Sequence, residues 1–140
     1  MIDDVGMTGG ALNALVAESV GPFRRRMVSQ LEALGLNTFE AGCGREAVEI
    51  VASCRVHALV IDTELPDFGG LQAVRVMRTF TRVPPFLLVA RKVTRALTAR
   101  AMESRAVSIL QSTSDLGLLA EILEEALVRS YGDFRPQRPI

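Results

Sequence analysis

The chain alternates five times between a short apolar run and a longer segment with helical spacing, and this alternation restricts its fold more than any other feature. A run that is apolar at successive positions has no polar face, so it suits a strand covered on both sides. ALNALVA (11–17), HALVI (57–61) and FLLVA (86–90) are of this kind, while NTFEA (37–41) and AVSIL (106–110) are weaker. GPFRRRMVSQLEAL (21–34) places Phe23, Met27, Leu31 and Leu34 on one helical face and stops at Gly35. GREAVEIVASC (44–54) turns Ala47, Val48, Ile50 and Val51 inward. GLQAVRVMRTF (70–80), TRALTARAME (94–103) and DLGLLAEILEEALVRSY (115–131) complete the helices, the last capped by Ser114 or Asp115. Strands alternating with helices predict an α/β fold, a doubly wound five-stranded parallel sheet with helices on both faces. Sheets of this type carry their chemistry beyond the carboxyl ends of the strands. Glu18, Ser19, Asp62, Ala90, Arg91, Gln111 and Ser112 are therefore expected to converge on one rim.

Composition excludes several functional classes. Sixteen basic residues balance sixteen acidic ones, so no net field draws the chain to nucleic acid or membrane. No apolar run reaches membrane-spanning length, and MIDDVGMTGG has no apolar core of the kind an export signal needs. A cytoplasmic location follows, with Cys43 and Cys54 as reduced thiols that lack metal-ligand spacing. His57 is the single histidine, which excludes a zinc site or a histidine-based triad and leaves it a packing role. Arg24, Arg25 and Arg26 read as the solvated face of a helix, and Lys92 is the one lysine. Residues 1–11 read as a flexible lead, 12–131 as the folded domain and 132–140 as a flexible tail.

The most informative loop is VIDTELPDFGG (60–70). An apolar strand ends in Asp62, followed by Glu64, Pro66 and the pair Gly69-Gly70. Asp62 at a strand end, Pro66 four residues on, Gly70 eight residues on and the AGCGREAVE stretch together resemble the receiver domain of bacterial two-component response regulators, from about residue 12 to residue 130. The resemblance implies a flavodoxin-like doubly wound fold and a non-enzymatic signalling role. Asp62 is then the phosphoacceptor for a histidine kinase. Mg2+ would be held by Glu18, Asp62 and the main-chain carbonyl of Glu64, neutralising charge on the moving phosphoryl group.

Other positions depart from the receiver pattern. Glu18-Ser19 replaces an acidic pair, so Mg2+ is expected to bind less tightly with one fewer carboxylate. Ala90 replaces the hydroxyl that ends the fourth strand, Ser112 the lysine that ends the fifth, Thr113 the following proline, and Ile109 the aromatic switch residue. Lys92 or Thr94 offers the nearest substitutes. A switch needs contacts that differ between two states, so the expected result is a degenerate receiver, its phosphate switch impaired or lost, that acts through protein binding. The alternative is a working receiver phosphorylated on Asp62. Expected partners are a histidine kinase or other signalling protein. The fourth helix, fifth strand and fifth helix offer Arg95, Arg100 and Arg105 against Glu121, Glu124 and Glu125, which read either as a homodimer interface or as a solvated mixed-charge surface. No nucleic acid or membrane partner and no output domain are expected. Asp62-x-Glu64 also faintly resembles the nucleophile motif of haloacid-dehalogenase-like phosphatases, but the chain lacks that family's Asp-x-Asp and later acidic pair. A flavin site is excluded because the first strand leads into no glycine-rich phosphate loop.

Overall fold

The structure, a computed structural model, describes residues 11–132 together with Phe134 and Pro136. Most of the lead expected at 1–11 therefore lies outside the described residues. The elements run β1 (Asn13–Ala17), α1 (Gly21–Glu32), β2 (Asn37–Ala41), α2 (Gly44–Ser53), β3 (Ala58–Asp62), α3 (Gly70–Met77), β4 (Phe86–Ala90), α4 (Arg95–Glu103), β5 (Ser108–Gln111) and α5 (Leu116–Ser130). Among the described residues the five strands form one sheet in the order β2-β1-β3-β4-β5, every neighbouring pair parallel. The α/β alternation predicted from the sequence is the alternation observed.

The continuous apolar runs fill two cores at once, because successive residues of a strand face opposite sides of the sheet. Ala14, Val16, Val60, Leu87 and Val89 meet Met27, Val28 and Leu31 of α1 and Leu119, Leu123 and Leu127 of α5. Leu15, Ala17, Leu59, Ile61, Phe86 and Leu88 meet Ala47 of α2, Ala73, Val74 and Met77 of α3, and Ala101 of α4. The edge strands β2 and β5 are only partly covered, which is why their sequences are the more polar ones.

Several element ends differ from expectation for local reasons. α1 stops at Glu32, and Leu34 leaves the helix yet stays buried as Gly35 turns the chain at φ 90°. α3 stops at Met77, leaving Phe80 half-exposed. β5 starts two residues late because the Ala106 N–H is used at the end of α4, donating to the Ala101 carbonyl. Asp115, not Ser114, caps α5, its Oδ1 accepting from the Gly117 N–H at 2.8 Å. His57 is buried, its Nδ1 accepting from the Asn13 N–H at 3.0 Å and its ring edge-on to Tyr131 at 5.2 Å. Phe134, inside the segment expected to be a tail, is 5% exposed and belongs to the core on the α1–α5 side.

Candidate functional site

The parallel register brings the predicted residues to one end of the sheet. Ala17 pairs with Ile61, Asp62 with Val89 and Ala90 with Gln111, so Glu18, Asp62, Ala90 and Gln111 share the carboxyl rim. Glu18, just past β1, is 2% exposed. Its Oε2 accepts from the Val20 N–H at 3.0 Å, while its Oε1 is buried with no hydrogen-bond partner. Its main-chain carbonyl accepts from Arg24 Nη1 at 2.6 Å, and Arg24 Nε also donates to Glu40 at 2.9 Å. Arg24 is thus a positioning residue, not part of a solvated face; Arg25 and Arg26 are exposed as expected.

Asp62 is half-buried, with Oδ1 accepting from the Glu64 N–H at 2.7 Å. Burial, the proton that an adjoining Glu18 carboxyl would share with it and the Glu18 charge push its pKa up to about 7, against the opposing effects of the Glu64 N–H and the Arg91 charge. Two adjoining carboxyl groups, one oxygen of them unpartnered, leave a site that either a shared proton or a cation would complete. Among the described residues no three His, Cys, Asp or Glu side chains gather into a metal cluster, and the Glu64 side chain is exposed. Glu18 and Asp62 offer two carboxylates, hard oxygen donors of the kind that fits Mg2+ with most of its waters retained.

The loop that carries Asp62 is held by close backbone contacts. A Cβ on Gly69 would lie 1.9 Å from the Thr63 carbonyl oxygen, and one on Gly70 2.7 Å from that of Asp62. Asp67 fastens the same loop to α2, its oxygens accepting from the N–H groups of Gly44 at 2.7 Å and Arg45 at 2.9 Å. Partial shielding from water raises the Asp67 pKa, but hydrogen bonds from the N–H groups of Arg45, Gly44 and Phe68 outweigh it and hold the carboxyl well below its usual range. α2 has no side-chain cap of its own at Cys43, so a carboxylate distant in sequence serves its N-terminus. The absence of Ser, Thr, Asp or Asn before GREAVEIVAS was the signal that a cap had to come from elsewhere.

The remaining rim positions carry little polar function. Ala90 is 1% exposed, Ile109 is partly buried against the α2–α4 core, and Ser112 is partly buried with its N–H donating to the Ala90 carbonyl at 2.8 Å. Ser19 is exposed. Thr94 is engaged as the cap of α4, its Oγ1 accepting from the Leu97 N–H at 3.1 Å. Lys92 is exposed, and the cation whose charge acts on Asp62 is its neighbour Arg91.

Fold and acid pocket together define a receiver of the two-component class. Residues 14–124 match the family model described as response regulator receiver domain, and the chain belongs to that family. It is 29% identical over 124 residues to the KDP operon transcriptional regulatory protein KdpE of Escherichia coli (strain K12), covering 89% of this chain and 55% of that protein. It is 41% identical over 70 residues to a protein-glutamate methylesterase/protein-glutamine glutaminase of Alkalilimnicola ehrlichii, covering 48% of this chain and 18% of that protein. The chain thus spans about half or less of the length of these relatives. A response regulator receiver domain protein (CheY-like) from Methanospirillum hungatei JF-1 superposes with a TM-score of 0.81 at 14% identity, covering 89% of this chain and 99% of the other. A Burkholderia pseudomallei response regulator with a phosphorylated aspartic acid superposes with a TM-score of 0.73 at 16% identity, covering 87% of this chain and 72% of the other. At these identities the superpositions speak for the fold. Among the described residues no helix is long and apolar enough to cross a membrane.

Proposed function

We propose that this receiver is a cytoplasmic, non-enzymatic signalling module that acts mainly by protein binding, with an impaired phosphate switch. Asp62 is the phosphoacceptor, and Glu18, Asp62 and the Glu64 main-chain carbonyl hold Mg2+. The carrying observation is the rim beside Asp62, where the buried methyl of Ala90 stands in place of a hydroxyl. A phosphoryl group on Asp62 would find neither that hydroxyl on β4 nor a lysine at Ser112 to pull toward itself. The partly buried Ile109 likewise provides no aromatic ring to change place with. Mg2+, when bound, supplies positive charge against which phosphoryl oxygens are neutralised. Arg91 adds to that field from the protein side.

The second reading, a working receiver phosphorylated on Asp62 by a histidine kinase, is favoured by one observation. The unpartnered Glu18 Oε1 beside Asp62 is what a metal-dependent phosphoacceptor needs. Partners are a histidine kinase or other signalling protein, and a second copy through α4, β5 and α5. Nucleic acid is not a partner on this reading, and no output domain is required.

Amide NMR on the whole chain with Mg2+ and then beryllofluoride, repeated on Asp62→Asn, tests the proposal. The expected result is a set of carboxylate-dependent shifts confined to the rim around residues 18–20 and 62–64. Shifts that spread into α4 and α5 would overturn the impaired-switch reading and establish the second.

A further inference from the structure

At the end of the sheet opposite Asp62, where β4 begins, Arg78, Thr81, Arg82, Pro84, Pro85 and Arg105 line a groove of about 540 Å³. The five residues of β4 separate it from the acid pocket by roughly 13 Å at about 3.3 Å per residue. Three arginines line it, from the end of α3, the α3–β4 connection and the α4–β5 turn, and no acidic residue does. In a chain of zero net charge this is a local concentration of one sign.

The groove is preformed. Arg78 donates to the Ser104 hydroxyl at 3.3 Å and to the Ser104 main-chain carbonyl, and its guanidinium lies 5.9 Å from the Phe86 ring centre. These contacts tie the α4–β5 turn to α3. Arg82 and Arg105 are exposed, and among the described residues their side chains have no hydrogen-bond or ion-pair partner.

Arg105 also occupies a backbone position that does not favour it. α1 ends with the Gly35 N–H donating to Glu32 and the Leu36 N–H to Leu31, and Gly35 takes φ 90°. α4 ends with the same pair of bonds, from Arg105 to Met102 and from Ala106 to Ala101, yet the left-handed residue is an arginine at φ 66°. Glycine adopts this conformation without steric cost, and a side chain kept there in spite of strain points to a use for that side chain.

We infer that the groove binds a small phosphate-bearing molecule through Arg82 and Arg105, with Arg78 positioning the turn. The guanidinium fork matches phosphate oxygens in bidentate geometry, and the volume is that of a small-molecule site. Three arginines around one concavity suit a compact polyanion better than an extended acidic segment, which needs charges in a row. Pyrophosphate and ADP share this chemistry and differ in whether a nucleoside contributes.

The test is NMR titration of the whole chain, without Mg2+, by pyrophosphate and separately by ADP, on wild type, Arg82→Gln and Arg105→Gly. Expected are saturable shifts at residues 81–86 and 104–107 that weaken as salt is raised, with affinity about tenfold lower in each variant. Arg105→Gly should at the same time melt about 3 °C higher, because strain is relieved, so that lost binding cannot be lost folding. Equal affinity for the two ligands identifies the diphosphate as the recognised group, and tighter ADP binding adds the nucleoside. Absence of saturation by millimolar ligand, shifts confined to the Asp62 loop, or variants that bind like wild type would each overturn the inference.

Discussion

Asp62→Asn should stabilise this protein at alkaline pH and leave it unchanged in acid. A carboxyl whose pKa rises on folding, here from 3.8 to about 7, holds a proton in the folded state that the unfolded chain has already released. Between about pH 4 and pH 7 the folded state binds more protons, so stability falls as pH rises through that window and is flat above it. At about 1.4 kcal/mol per pH unit the full penalty would be about 4.5 kcal/mol for a group cut off from water. Asp62 is only half-buried, and solvent screening reduces the expected cost to about 2 kcal/mol.

The asparagine amide removes that charge without changing the shape of the side chain. Its oxygen keeps the 2.7 Å bond from the Glu64 N–H, and its nitrogen gives the unpartnered Glu18 Oε1 a donor. Urea unfolding of both proteins at pH 4, 6 and 8 with chelator present isolates the Asp62 contribution as a difference. The variant should gain about 2 kcal/mol at pH 8 and about nothing at pH 4. Adding millimolar Mg2+ at pH 8 should raise the wild type and leave the variant where it was, since only the wild type has the ionised acceptor. A difference that is the same at all three pH values would refute the account of the Glu18–Asp62 pair.

Phe134→Ala, which empties a buried aromatic position beyond α5, should lower stability by about 3 kcal/mol in the same unfolding assay; a neutral result would mean that Phe134 does not hold the end of α5. Gly69→Ala must displace the Thr63 carbonyl and is expected to cost about 2 kcal/mol and to weaken Mg2+ binding, read by the same titration. Asp67→Ala should speed hydrogen exchange at the Gly44 and Arg45 amides while leaving α5 amides unchanged, and uniform acceleration would contradict the capping role.

The strands were legible because a sheet buried on both faces demands apolar residues without a break, and β1, β3 and β4 have them. Helix ends were less so, since they depend on main-chain bonds such as Leu36 to Leu31 and Ala106 to Ala101 that leave no pattern in residue type. Asp62 and Glu18 stood out by position on the rim. Asp67 did not, because its partners lie 22 and 23 residues earlier and belong to another element. The same holds for Arg24, one of three adjacent arginines that differ only in what the helix turns them toward. Lys92 attracted notice by rarity and Arg91 only by its place on the rim, yet the positive charge that acts on Asp62 is that of Arg91.

On the proposed reading, charge storage and readout have separated in this pocket. Storage needs only an acid whose environment penalises its own charge, and the Glu18–Asp62 pair does that with burial as the largest cause. A proton, a divalent ion or a phosphoryl group with its metal each relieves the penalty, so the pocket responds to all three. Readout needs a polar arm that moves when the charge arrives, and a ligand shifts an equilibrium only through contacts that differ between its states. The methyl of Ala90, packed at 1% exposure, has no such contact to gain or lose, and Thr94 is already bonded to Leu97. What does touch the loaded loop is Asp67, which joins it to the N-terminus of α2. On the proposed reading a charge at Asp62 therefore stays with this loop, and binding through α4, β5 and α5 does not depend on it.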